Sequence, residues 1–292
     1  MAFTEKQIQL TFKLGQGSFG ESGDTTLVIP KCKVQATILA PVGQDSGTAD
    51  LNIHGLTTTH MAQLSALTIG GGLYVRKNEV VVEAGDMDGV LTTIFQGCIQ
   101  LGSINMNASP DSILNISAMT GGLQQVATVS PTSYKGPTSV ATIMQNLAVL
   151  GGYSFENNGV AAVLRDPYYP GSVMDQINAC RNDSNIVAFI DTSNNTLVIT
   201  PKGAARGILV PRISPDNGMV GYPTWASNTG GIHVKTLFNP NIRAQGKVII
   251  ENSQLAVANG QWLVYNLTHT LDSFTPDGQW FTEFDCQALN SK

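Results

Sequence analysis

A chain of 292 residues, 42% of them hydrophobic, has length for two or three domains and enough apolar material for ordinary cores. Only 13% of its residues are charged, about half of the roughly 25% usual in soluble domains, and its formal net charge is −5. The absence of any basic tract excludes a phosphate-binding surface and sequence-specific nucleic-acid binding, and no apolar run approaches the ~20 residues of a membrane helix, which excludes stable membrane insertion.

A surface so poor in Lys and Glu is weakly protected against association and is suited to being covered by partner subunits. Cys32, Cys98, Cys180 and Cys286 are far apart, without a Cys-x-x-Cys pair or a histidine at metal-ligand spacing, and read as buried free thiols. Met1 to Lys6 lacks the charged-then-apolar form of a signal peptide, so synthesis in a cytoplasm is expected.

Along the chain, Lys6 to Lys13 alternates as a strand, with Ile8, Leu10 and Phe12 on one face. It leads into Leu14-Gly15-Gln16-Gly17-Ser18-Phe19-Gly20, which fits Gly-x-Gly-x-x-Gly and is similar to the glycine-rich loop of protein kinases. Phosphoryl transfer would further require a strand lysine, a His-Arg-Asp base and an Asp-Phe-Gly metal ligand, and none follows. The stretch reads instead as a loop between strands Ile8–Leu14 and Thr25–Ile29, mobile until a neighbour orders it, with Gly15, Gly17 and Phe19 as candidate contacts.

Strands are expected at Val34–Leu39, Ala49–Ile53, Leu73–Val75, Asn78–Ala84 and Leu91–Leu101. A helix is expected over 57–67, capped by Thr57 or Thr58, with Met61, Leu64 and Leu67 on one face. Gly85 to Gly89 reads as a hairpin turn, since Asp86 and Asp88 lack the late acidic residue of a calcium loop. The character changes after about Asn105. A strand with a polar lead at Ser109-Pro110-Asp111 runs to Ala118, and 121–136 reads as loop.

A helix over Ser139–Leu150 follows, with Val140, Ile143, Met144, Leu147 and Leu150 as its apolar stripe and Gly151-Gly152 as its stop. A second helix runs from a Ser172 cap to Cys180, with Val173, Ile177 and Cys180 inward. A hairpin then pairs Ile186–Asp191 with Thr196–Pro201. The stretch 207–231 reads as loop. The closing part, Lys235–Phe238, Gly246–Glu251, Gly260–His269 and Gln279–Cys286, reads as a β-meander turned at Asn239-Pro240-Asn241, Ala258-Asn259-Gly260 and Pro276-Asp277-Gly278. Val80-Val81-Val82-Glu83 with Ile94-Phe95 is echoed by Val248-Ile249-Ile250-Glu251 with Val264-Tyr265, a pattern that duplication would produce. The fold class expected is mainly β with a small α+β insert: a β unit at 1–106, an α+β module at 107–205 and a second β unit at 206–292.

The succession Leu237-Phe238-Asn239-Pro240, Gly246 to Ile250, Gly260 to Tyr265, Thr268 to Leu271 and Gly278-Gln279-Trp280 resembles the final domain of baseplate hub proteins of contractile bacteriophage tails. More distantly it is similar to late-control and secretion-spike hub proteins. The hairpin turn Asn194-Asn195 and Thr200-Pro201-Lys202-Gly203 extend the resemblance into the middle of the chain. It implies two antiparallel β-barrels like those of the tail tube, and a homotrimer whose six barrels match a six-fold tube above and a three-fold spike below.

The implied partners are a tail tube or tube-initiator protein, the central spike protein, a tape-measure protein, and DNA that passes through without sequence-specific binding. The implied location is the virion's tail baseplate, assembled in the host cytoplasm. Phe238, Asn239 and Pro240 are further candidate subunit or tube contacts.

No catalytic, cofactor-binding or metal residues are expected. His54, His60, His233 and His269 form no His-Glu-x-x-His, no Gly-x-Ser-x-Gly elbow occurs, and no carboxylate pair for glycoside cleavage stands out. Two alternatives are a hexameric tube or tube-initiator protein, and a tail-tip protein that binds or hydrolyses carbohydrate. The second would expose Trp225, Trp262, Trp280, Tyr168 and Tyr169 on one face, whereas burial of Trp262 and Trp280 favours the hub.

Overall fold

Strict alternation of apolar and polar residues builds the first β unit. A computed structural model describes residues 5–19, 23–65, 77–107, 112–226 and 230–289. The unit comprises β1 (Lys6–Lys13), β2 (Thr26–Ile29), β3 (Val34–Pro41), β4 (Thr48–His54), α1 (Thr58–Leu64), β5 (Glu79–Asp86), β6 (Thr92–Asn105) and β7 (Ile113–Met119). The strands are antiparallel in the order β2-β1-β5-β6-β7-β4-β3. Ile8, Leu10, Phe12, Ile38, Leu51, Ile53, Val80, Val82, Phe95 and Leu114 point into one core. Thr57 caps α1 by accepting from the His60 amide (3.3 Å), and Met61 and Leu64 press into the same core. Leu67, the strand expected at Leu73–Val75 and the polar lead at Ser109–Asp111 lie outside the described residues.

The middle module contains α2 (Gly122–Val126), β8 (Thr132–Ser133), β9 (Pro137–Ser139), α3 (Val140–Gly151), β10 (Ser154–Asn157), β11 (Val163–Arg165), β12 (Tyr168–Tyr169), α4 (Val173–Ser184), β13 (Ile186–Asp191) and β14 (Thr196–Pro201). Gly152 ends α3 in the left-handed conformation (φ 73°). Leu150, expected on the buried stripe, is 50% exposed, because the helix turns its Val140, Ile143, Met144, Leu147 and Ala148 face to the core. A reciprocal box between Ser172 and Asp175 starts α4, which continues a turn past Cys180 until Asn185 adopts φ 52°. The expected β13–β14 hairpin forms, and β10 joins it in parallel beside β14. The stretch read as loop at 121–136 holds α2 and β8.

The last unit consists of β15 (Arg212–Ile213), β16 (Thr224–Ala226), β17 (Gly231–Leu237), β18 (Lys247–Ile250), β19 (Gly260–Ser273) and β20 (Trp280–Ala288). It is not a simple meander. β17 pairs with β20 instead of with β18, giving β17-β20-β19-β18, because the segment Phe238 to Gly246 carries the chain across instead of turning it back. Two short strands, β15 and β16, occupy the stretch read as loop and border β18 and β17.

The two β units are one sheet. β20 covers one side of β19, and the other side is divided between two partners: Gly260–Leu263 pairs with β18, and Asn266–Ser273 pairs with β3. A bulge between Val264 and Asn266 marks the change of partner. The result is a 13-stranded mainly β sheet whose path among the described residues is open, from β16 to β2. Its cores interlock too. Leu271 of β19 and Trp280 of β20 lie in the first core, while Ala40 of β3 lies in the last.

Candidate functional site

The sharpest concentration of buried charge lies where the middle module meets both β units. Asp191 at the end of β13 and Glu156 on β10 both bond to Arg206, each at 2.6 Å. Arg206 and Asp191 have side chains only 2% and 7% exposed. Arg243, from the crossing between β17 and β18, reaches the same hairpin tip, donating to Ser193 Oγ and lying 3.7 Å from Asp191.

Burial alone would raise the Asp191 carboxyl. The charge of Arg206 and hydrogen bonds from Ser193 outweigh that effect and hold it below the usual carboxylate range. A hydrogen bond from Arg206 is the main reason Glu156 is lowered as well.

The tip also docks on the first unit. The Gln96 amide of β6 donates to the Thr192 carbonyl at 2.7 Å, and Thr192 packs where Gly47 has no side chain: a Cβ there would sit 2.1 Å from Thr192 Cγ2. His269 of β19 faces this junction across a cavity of about 20 Å3, and its Nδ1 shares a 2.9 Å hydrogen bond with Thr282 Oγ1. Burial, with the Arg243 charge adding to it, drives the imidazole down to about 3, so His269 is neutral.

The sheet's outward face is the second feature. Seven adjacent strands, β20, β19, β3, β4, β7, β6 and β5, contain no lysine or arginine. Register aligns Phe281, Thr270, Thr37, Asp50, Ser117 and Leu101 in a row across six of them. A parallel row runs through Asp272, Gln35, Asn52, Asn115 and Ser103. Asp50, Glu79, Glu83, Asp272, Glu283 and Asp285 add carboxylates to this face. Lysines stand on its two flanks: Lys235 of β17 pairs with Glu283 (2.7 Å) and lies over the Phe281 ring, and Lys13 of β1 stands opposite Glu79, while His233 of β17 shares a hydrogen bond with Asp285 (2.9 Å).

The candidate contact residues divide. Gly15 and Gly17 are exposed, Gly17 with φ 84° and open space around it. Phe19 instead joins the first core at 5% exposure, edge-on to His60, and the Ser18 carbonyl accepts from Gln63 (2.9 Å). This part of the loop is therefore tied down by the chain's own core; Gly20 lies outside the described residues. Phe238 meets His269 and Trp280 edge to face, and Asn239 donates its amide to Thr282 Oγ1 (3.1 Å). Pro240 borders the small cavity at the junction.

Trp280 is buried and Trp262 half-buried, whereas Trp225 on β16 and Tyr168 on β12 are exposed, in different units. Among the described residues no group of three or more His, Cys, Asp or Glu could hold a metal, and no helix is long and apolar enough to cross a membrane.

With this architecture in view, comparison is decisive: the family model described as baseplate hub gp41 matches residues 8–286. The chain belongs to the baseplate hub gp41 family. No curated protein matches it.

The hub is similar in fold to the 43 kDa tail protein of prophage MuSo2 from Shewanella oneidensis (TM-score 0.61, 10% identity, covering 98% of this chain and 97% of that one). It is similar to a Neisseria meningitidis MC58 tail protein (TM-score 0.62, 10% identity, covering 96% of each chain). A third neighbour is the E. coli c3393 protein, a component of the type VI secretion system described as structurally similar to T4 tail proteins gp27 and gp5 (TM-score 0.61, 8% identity, covering 87% of this chain and 73% of that one). At such identities the likeness is one of fold. The family is a structural one of the phage tail baseplate, and the match extends far upstream of the C-terminal motifs that carried the resemblance in sequence.

Two variants probe the hub's junction. Arg206→Met leaves the buried Asp191 with only Arg243, 3.7 Å away, as a cation and is expected to cost about 3–5 kcal/mol in urea unfolding at pH 7. Because the paired carboxylates have lowered pKa values, their contribution is present above the ordinary carboxylate range and is lost as pH falls below about 4. In the variant Asp191 has lost its nearer cation, so less of this contribution is left to lose and the deficit narrows on acidification.

His269→Gln isolates a second pH effect. The unfolded imidazole takes up a proton below about pH 6.5 and the folded one does not, so the wild type loses up to about 1.4 kcal/mol per unit between pH 6.5 and 5. The glutamine variant is expected to be flatter by that slope.

Proposed function

We propose that the protein is a structural hub subunit of a contractile phage tail, joining the tail tube to the central spike and lining part of the channel for genome ejection. On this reading its β units, expected at 1–106 and 206–292 and completed in the first case by β7, act as two tube-like barrels joined edge to edge by the β3–β19 pairing, with the α+β module docked beside them. Three copies set six barrels in a ring, which matches a six-fold tube on one side and a three-fold spike on the other.

The carrying observation is the run of seven strands without lysine or arginine, placed side by side by the β3–β19 pairing. A polyanion moving along these seven strands meets amides, hydroxyls and carboxylates, with lysines confined to the flanking strands β17 and β1, so it adheres weakly. Membership of the hub family supports the position in the baseplate. Fold likeness to tail proteins, and to a secretion component described as resembling both gp27 and gp5, supports a place between tube and spike.

The test is the mass of the purified subunit, alone and mixed with the spike protein of the same phage. A trimer, or a monomer that trimerises on the spike, is expected. A hexameric ring would instead make it a tube component, and a lasting monomer that retains or cleaves cell-wall carbohydrate would make it a tail-tip protein.

A further inference from the structure

At one end of the sheet, where β19 turns into β20 beside the start of β1, lies an open pocket of about 320 Å3. Its apolar walls are Phe274, Pro276 and Trp280, and its polar rim is Glu5, Lys6 and Asp272. The pocket is preformed. Phe238 meets Trp280 edge to face with ring centroids 5.4 Å apart, fixing the indole from within the fold.

The turn is closed by the Gly278 amide on the Thr275 carbonyl (3.1 Å), and it forces Phe274 into the left-handed region at φ 49°, a conformation an aromatic residue adopts only where its surroundings impose it. Gly278 allows a close approach that sets Asp272 on the rim, since a Cβ there would meet Asp272 Cβ at 2.7 Å.

The charge balance of the rim is one-sided. Lys6 is engaged with Asp86 at 2.5 Å and one oxygen of Asp272 accepts the Gln279 amide at 2.9 Å, so the rim carries two carboxylates, Glu5 and Asp272, beside a single lysine that is already paired. A volume of this order holds one large side chain. Its place at the end of the strands makes it accessible to a protein stacked above or below the sheet.

We infer that the pocket receives an aromatic or large aliphatic side chain, adjacent to a lysine or arginine, on an extended segment of a neighbouring tail protein. The apolar group fills the Phe274–Trp280 hollow, and the cation lies between Glu5 and Asp272. This inference rests on the proposed hub reading and adds to it a docking point between rings.

The experiment uses tails purified from phage whose hub carries the photo-crosslinker p-benzoylphenylalanine in place of the exposed Pro276, with a second phage carrying it in place of the exposed Gly17. The expected result is a Pro276-dependent crosslink to another tail protein, mapped next to a lysine or arginine, and a loss of at least tenfold in crosslink yield when Glu5→Lys is added. A crosslink confined to the same chain or to a second copy of it overturns the inference. So does incorporation of the hub into tails with no crosslink at Pro276, or a yield unchanged by Glu5→Lys. Absence of the unsubstituted chain from purified tails would overturn the hub reading itself, and this inference with it.

Discussion

The structure depends on one ladder: eight residue pairs that join Val34–Pro41 of β3 to Asn266–Ser273 of β19. Without it the chain would be two sheets, each with a bare edge through its middle and an incomplete core. With it, Leu271 and Trp280 close the N-terminal core and Ala40 closes the C-terminal one. Because the paired residues are more than two hundred positions apart, the loop-closure entropy is met only once both halves are nearly formed, which places this pairing late in folding. The bulge at Tyr265 makes the arrangement possible, since it lets a single strand serve β18 at one end and β3 at the other.

The middle module is attached differently. It adds no strand to the large sheet and is held by a hairpin tip, with Thr192 hydrogen-bonded to β6 and Asp191 and Ser193 gripped by arginines from beyond the module. In a chain with so few charges, committing Arg206, Arg243, Asp191 and Glu156 to one buried junction is a concentrated use of them. An ionic network of this kind demands a specific geometry, because a displaced partner leaves a bare charge in a low-dielectric site. It acts beside an apolar contact, in which Phe189 and Val198 of the module pack on Val42 and Ala244. The remaining surface, poor in cations over seven strands, follows from the same economy.

Local features were legible in the sequence: the alternation of Ile8, Leu10 and Phe12, the Thr57 and Ser172 caps, the Gly152 stop, the β13–β14 hairpin. Each is written within a few residues. What was not legible is non-local. Nothing in Gly260–Ser273 marks the point where the strand changes partner, and a run of four strands separated by turns reads as a meander although β17 crosses to β20. Leu150 was misplaced because a helical stripe has two edges, and only the tertiary contacts select which is covered. Arg206, in Ala204-Ala205-Arg206-Gly207, carries no motif; the faint signal was an isolated arginine in a chain with only 16 Lys and Arg residues. Of the contact candidates, Gly17 stands in open space and Gly15 is exposed with its amide on Asn78 Oδ1, whereas Phe19 follows its hydrophobicity into the core.

The central claim is that the seven strands of the continuous sheet that contain no lysine or arginine line a channel on the tail axis. A cryo-electron-microscopy reconstruction of the intact tail, resolved to side chains at the baseplate, tests it most directly. The account predicts three copies around the axis with Gln35, Thr37, Asp50, Asn52, Ser117 and Thr270 facing the lumen. A ring in which these residues face outward, or in which basic residues line the lumen, would contradict it.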